Sequence, residues 1–189
     1  MPRSFIAIEV PETIRNKIYE SFASVRRQTS GVKWVEPAGM HLTLRFLGEV
    51  GEAILEKEII PRISQLTIQN PVLHLEIGGV GLFPSVYKPR VFWVGMGGDV
   101  VSLKRLQGSL EQALAGLPIH EESKEFHAHL TLGRIKVLEN KKVWQRVLEE
   151  YEKIDFGSFT ADRVILFKSE LTRKGAVYSK LREFQLSEV

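Results

Sequence analysis

The first apolar run, at residues 4–10, reads as a buried strand. From Pro11 onward Ile14, Ile18, Phe22 and Val25 recur at helical spacing, so that strand runs into an amphipathic helix. A short strand at 32–35 and a turn at 37–39 follow, and then an alternating strand at 40–47 closed by Gly48. The next helix spans about 52–66, and Pro61 inside it predicts a kink or an early stop. Strands at 72–77 and 90–95 flank a Gly- and Pro-rich loop at 80–89 that carries Phe83 and Tyr87. A helix at 100–115, a strand at 125–135, a charged helix at 139–151 and strands at 160–170 and 176–186 complete the chain. The order strand, helix, strand, strand, helix, strand is nearly repeated. It predicts an α+β fold of two lobes on mostly antiparallel sheets with flanking helices. No linker, charge block or low-complexity tract divides residues 1–189, so the two lobes form one domain.

Composition narrows the chemistry. The chain has no cysteine, which excludes disulfides, a thiolate nucleophile and Cys-ligated zinc, and favours a reducing, cytoplasmic compartment. The N-terminal apolar run is followed at once by Pro11, Glu12 and Arg15, without a cleavage pattern or a long apolar span, as in a soluble protein without membrane association. A net charge of +3 and a pI near 9.1 favour an anionic ligand but fall short of the density that grips duplexes unspecifically.

Against this background one pattern stands out. His41-Leu42-Thr43-Leu44 and His129-Leu130-Thr131-Leu132 are the same four residues, each in the matching strand of its half of the chain. With five histidines and seven threonines in 189 residues, a chance match is expected on the order of a few hundredths of a time. A lone strand histidine is ordinarily a hydrogen-bonded structural residue, but repetition at equivalent positions is not explained that way. Strand alternation puts His41 and Thr43 on one face and Leu42 and Leu44 on the other, and the second copy behaves alike. His and Thr then stand ~6–7 Å apart, near enough to touch one small ligand.

Two imidazoles and two hydroxyls suit a phosphodiester. Displacement at phosphorus is in line, so a base and an acid are needed on opposite sides, and facing lobes supply them. Imidazole, with an ordinary pKa near ~6.5, serves in either role at neutral pH, and the threonine hydroxyls hydrogen-bond the non-bridging oxygens. No metal or other cofactor is needed. One alternative is a metal-dependent hydrolase, since His127 and His129 have a spacing that zinc sites use and His41 completes a three-ligand set; it leaves both threonines without a role. The other is an RNA-end binding module without turnover.

On these motifs the chain resembles the 2H phosphoesterases, specifically the RNA 2′,3′-cyclic phosphodiesterases also called 2′-5′ RNA ligases. The similarity extends to WVEPAGMHLTLRFLG at 34–48, PRVFWVG at 89–95, FHAHLTLGR at 126–134 and SELTRKGAVYSKL at 169–181, and so to nearly the whole chain. The resemblance implies a bilobal fold with pseudo-twofold symmetry and a cleft between the lobes. It also implies hydrolysis of RNA-terminal 2′,3′-cyclic phosphate to a 2′-phosphate, with 2′-5′ ligation as the reverse step. RNA ends, tRNA fragments among them, are the expected partners of a monomeric protein. By the same resemblance His41 is the general acid toward the 3′ oxygen and His129 the base that activates water, roles that ligation exchanges. Ala128 departs from the proline that relatives often carry there, a change of loop stiffness.

Secondary candidates for substrate binding are Arg45, Arg134, Phe83 and Tyr178. Arg45 shares the face of His41 and Thr43 by simple alternation, whereas Arg134 ends its strand one step out of phase. Phe83 and Tyr87 offer rings on which a terminal base stacks. For the arginines a solvated surface, and for the aromatics loop packing, are the plain alternatives. Only the family resemblance points to Tyr178. His74 and His120 belong to no motif and read as structural.

Overall fold

The computed structural model describes residues 3–121, 125–139, 141–172 and 175–188. Arg173 and Lys174, inside the family-like tail segment, lie outside the described residues. Nine strands form two antiparallel sheets among these residues. The strands are β1 (Arg3–Glu9), β2 (Val32–Trp34), β3 (His41–Glu49), β4 (Leu73–Phe83), β5 (Val91–Gly98), β6 (His129–Ile135), β7 (Asp155–Ala161), β8 (Arg163–Thr172) and β9 (Gly175–Gln185). The first sheet has the order β3-β1-β8-β9 and the second β2-β6-β5-β4-β7.

The α+β class and the two antiparallel sheets agree with the sequence reading, but the sheets are not the two halves of the chain. β2 crosses to the second sheet, and the C-terminal β8 and β9 return to the first. The expected single strand at 160–170 is two strands parted at Asp162, where the chain passes from one sheet to the other. Within β8 the apolar run at 164–167 is continuous because both faces of the strand are buried, Val164 and Leu166 in the main core and Ile165 and Phe167 on the other side.

The helices follow from amphipathic spacing and from two local breaks. Ile18 and Val25 are buried as expected, but the first helix divides at Phe22 into α1 (Glu12–Ser21) and α2 (Ala23–Gln28). Around Pro61 the chain neither stops nor continues as a plain α-helix. α3 (Glu52–Ile54) widens into a π-turn at Leu55–Ile59 and resumes as α4 (Ile60–Thr67). A proline has no N–H and its ring clashes with the carbonyl four residues back, so a wider turn before it takes up the conflict. α5 (Val100–Leu114) buries Leu103, Leu106, Leu110 and Leu114, and α6 (Lys141–Tyr151) buries Val143, Trp144 and Val147. One continuous apolar core joins these helices to both sheets, with Leu42, Leu44, Leu130 and Leu132 fully inside it. Among the described residues no helix is long and apolar enough to cross a membrane.

A smaller cluster of Phe5, Ala7, Ile165 and Phe167, with Tyr178 packed against it, lies on the opposite face of the first sheet. β1 is therefore buried on both sides, Ile6 and Ile8 toward the helices and Phe5 and Ala7 away from them. That is why its sequence is apolar without alternation.

Candidate active site

The two motif strands repeat each other in structure as well as sequence. From His41 to Phe46, and again from His129 to Arg134, burial runs half-buried, buried, half-buried, buried, buried, exposed. The repeat of two buried residues in succession marks a β-bulge in each strand. On β3 the ladder steps from Ala7 opposite Thr43 to Ile6 opposite Arg45, passing over Leu44. On β6 it steps from Trp93 opposite Thr131 to Phe92 opposite Gly133, passing over Leu132. An extra residue in one strand shifts every later side chain to the other face.

This reverses the expectation for the two arginines. Arg45 is turned away from His41 and Thr43, 6% exposed on the helix-covered side, with its Nε 3.0 Å from Glu111 Oε2 on α5. Gln107, one turn earlier on α5, donates to the Leu44 carbonyl at 3.5 Å and to Glu111 at 3.0 Å. Arg45 thus anchors the bulge to a helix and does not share the face of His41 and Thr43. Arg134, expected out of phase, is brought by the second bulge onto the face of His129 and Thr131, where it is exposed. Its charge acts on His129.

Each histidine is walled by aromatic rings. His41 stacks on Phe5 with ring centroids 4.7 Å apart, meets Tyr178 edge-on at 5.1 Å and lies 6.0 Å from Phe167. His129 meets Phe83 edge-on at 5.1 Å and Trp93 at 6.4 Å, and Phe83 and Trp93 stack at 5.0 Å. Phe83 closes β4 and is not a loop residue; Tyr87 is in the loop and 82% exposed. Trp93 lies so close over Gly81 that a Cβ there would meet its ring at 2.0 Å, so only glycine fits. Of these neighbours, Phe83 and Tyr178 were singled out in the sequence. Phe5, Phe167 and Trp93 were not, because apolar residues of buried strands carry no mark of which face they serve. Trp93 does stand in the family-like segment at 89–95.

Burial sets the protonation of both imidazoles. Desolvation, reinforced by the Arg15 guanidinium, lowers the His41 pKa to about 4. Arg15 comes from α1 and donates through Nη1 to the Pro37 carbonyl at 3.1 Å; in the sequence it was noted only as a charge that follows the N-terminal apolar run. Arg15→Gln is expected to raise the His41 pKa while burial still holds it below 6.5. Imidazole titration by NMR checks this, and an unchanged midpoint would contradict the role given to Arg15. His129 is also lowered, by burial first and further by the charges of His127 and Arg134, while a bond to the His127 carbonyl opposes the shift. In that bond Nδ1 stands 2.6 Å from the His127 oxygen. A carbonyl only accepts, so Nδ1 carries the proton and the neutral ring keeps its lone pair on Nε2.

The other histidines are accounted for locally. His74 pairs its Nδ1 with Thr160 Oγ1 at 3.1 Å across β4 and β7, and the His120 N–H donates to the Leu47 carbonyl at 2.9 Å. His127 precedes β6, since that strand begins at His129 and not at 125, and its ring lies 5.6 Å from Phe83. Among the described residues no three His, Cys, Asp or Glu side chains gather as a metal set, so the combination His41, His127 and His129 finds no geometric support. β3 and β6 approach each other, and the Val35 N–H, in the segment leading to β3, donates to the Leu132 carbonyl at 2.8 Å.

Two antiparallel sheets over a common core, each offering a bulged His-x-Thr strand at their junction, define an α+β protein of the two-histidine phosphoesterase class. A family model described as LigT like Phosphoesterase matches residues 8–93 and 100–178, and the chain belongs to this family. The chain is 39% identical over 183 residues to an RNA 2′,3′-cyclic phosphodiesterase of Archaeoglobus fulgidus, covering 97% of this chain and 99% of the relative. It is 34% identical over 182 residues to the protein of that description from Methanocaldococcus jannaschii, covering 96% and 99%. The fold is similar to the crystal structure of TT0787 of Thermus thermophilus, with a TM-score of 0.79, 29% identity and 98% of each chain covered.

Proposed function

We propose that this protein hydrolyses the 2′,3′-cyclic phosphate at RNA ends to a 2′-phosphomonoester, with His41 and His129 as acid and base. The observation that carries the reading is the duplicated strand, with the same motif, burial and bulge on each sheet. Such symmetry suits an in-line displacement, in which entering and leaving oxygens need equivalent groups on opposite sides of one phosphorus.

In the hydrolytic direction His129 Nε2 takes a proton from water, whose oxygen bonds to phosphorus. The bond from phosphorus to the 3′ oxygen breaks, and His41 gives its proton to that oxygen, leaving a 3′-hydroxyl and a 2′-phosphate. The tautomer of His129 supports its place as base. With a pKa of about 4, His41 is protonated in only about one molecule in 10³ at pH 7 before substrate binds. The anionic phosphate between the lobes favours the imidazolium and recruits the acid on binding. Thr43 and Thr131 hydroxyls hydrogen-bond the non-bridging oxygens, and the Arg134 guanidinium offsets the developing charge. Phe83, Trp93 and Tyr178 exclude water and flank the terminal nucleoside. When the 5′-hydroxyl of a second RNA takes the place of water, His129 accepts its proton, its oxygen bonds to phosphorus and the same bond to the 3′ oxygen breaks with a proton from His41, joining the two ends through a 2′-5′ bond. We place the protein in the cytoplasm as a monomer acting on RNA fragments, tRNA-derived ends among them; a cysteine-free chain suits that compartment.

The test is phosphorus NMR of an oligoribonucleotide ending in 2′,3′-cyclic phosphate, incubated with the protein in excess chelator. Conversion to a 2′-phosphate is expected. Formation of the 3′-phosphate, or activity lost to chelator and restored by zinc, would contradict the mechanism. Tight binding of the oligonucleotide with no conversion would leave an end-binding module.

A further inference from the structure

We infer that the exposed edge formed by Lys33, Arg134 and Lys136 is the track on which the single-stranded RNA upstream of the reacting end lies. The inference rests on the proposed reaction at His41 and His129 and extends it from the terminal nucleotide to the chain behind it.

β2 is the edge strand of the second sheet, and in its ladder with β6 Lys33 stands directly opposite Arg134. Directly opposed residues of an antiparallel pair share a face, so two cations stand ~5 Å apart at their Cβ atoms. Val32 and Trp34 on either side of Lys33 pack toward the core, and Gly133 beside Arg134 is so close to Val32 that a Cβ would meet Cγ1 at 2.8 Å. The two cations therefore point away from the core, on the side of His129 and Thr131. Lys136 continues the ladder by donating its N–H to the Gly31 carbonyl at 2.8 Å, and it too is exposed. Like charges placed opposite each other destabilise a sheet, and nothing in the fold compensates these. Among the described residues none of the three has an ion-pair partner. Nearby carboxylates are engaged elsewhere, Glu139 by the Ser30 hydroxyl and Glu36 by Tyr19 at 3.1 Å. A polyanion resting on this edge removes the repulsion.

The spacing fits a chain of phosphates. Arg134 is three steps along the chain from Thr131, but the bulge absorbs one, leaving two pleat steps or ~7 Å; two more steps lead to Lys136, another ~7 Å. Each interval is of the order of the step between successive phosphates in an extended strand. Arg134 thus serves the phosphate nearest the site, and Lys33 and Lys136 serve those behind it. None of these side chains is placed to read base edges, so the contact is electrostatic and independent of sequence.

The test compares wild type with Lys33→Gln, Lys136→Gln and the double variant on two substrates, a 2′,3′-cyclic mononucleotide and an octaribonucleotide ending in 2′,3′-cyclic phosphate. The double variant is expected to lower kcat/KM for the octamer about tenfold at low salt and to leave the mononucleotide unchanged within about twofold. Its slope of log kcat/KM against log salt should fall by about 1.4, or ~0.7 for each single-strand phosphate contact removed. Equal losses on both substrates, or no loss on the octamer, overturn the inference. Fluorescence anisotropy of the same octamer tests the track without turnover. Weaker binding with a shallower salt slope in the double variant supports it, and unchanged binding overturns it. Failure of the proposed reaction has a separate signature, in that wild type then opens neither substrate.

Discussion

His41→Ala and His129→Ala are each expected to lower kcat on an RNA 2′,3′-cyclic phosphate by about 10³-fold, and the double variant by little more than either alone. In the proposed mechanism the two imidazoles act on one phosphorus in one step, so removing the second finds the concerted proton transfer already lost. Independent roles would multiply to about 10⁶-fold, and single-turnover rates on the three variants separate the two cases. A nucleoside phosphodiester with a nitrophenyl leaving group resolves which histidine is which. That leaving group departs without a proton, so His41→Ala should recover most of its rate on it, whereas His129→Ala should not. Recovery by His129→Ala instead would exchange the assignments. Because His41 packs on Phe5 and Tyr178, His41→Gln is the control for a change caused by the hole that alanine leaves.

Much of this site was legible in the sequence because the relevant chemistry repeats and its leucines do not vary. Leu42, Leu44, Leu130 and Leu132 are all buried, and the residues between them face the other way, as period-two alternation requires. Beyond the fourth motif residue alternation fails in both strands. A bulge changes the face of everything after it, and Leu44-Arg45 carries no sign of one. The pairing of strands was likewise hidden. β2 joins β6 and β8 joins β1 across about a hundred residues or more, and strand membership depends on contacts that no local pattern records. Of the rings around His41, Phe5 and Phe167 were missed for a related reason. Phe5 and Ile6 are equally apolar, and only the register shows that one faces the histidine and the other the helices. One signal was available, since a strand apolar on both parities is a strand buried on both faces, and the second face of β1 lies under His41.

The exchanged arginines give the second large effect. Arg134→Ala should reduce kcat/KM on the cyclic phosphate by about 10²-fold, the loss typical of removing one donor from a developing oxyanion. It should change the free energy of unfolding by no more than about 0.5 kcal/mol, because the side chain is exposed and has no ion-pair partner among the described residues. Arg45→Ala should do the opposite. It removes the guanidinium from a buried pair with Glu111, which costs about 3 kcal/mol, the low end for such pairs because the Glu111 side opens to solvent. The folded fraction should keep kcat/KM within a few-fold, since the arginine contacts α5 and is turned away from the face of His41 and Thr43. Urea unfolding and progress curves on both variants decide between this placement and simple alternation. If alternation held through Leu44 and Leu132, Arg45→Ala would be the variant that loses activity and keeps its stability. The test therefore reads the two bulges directly, because they decide which arginine shares the face of the motif histidines.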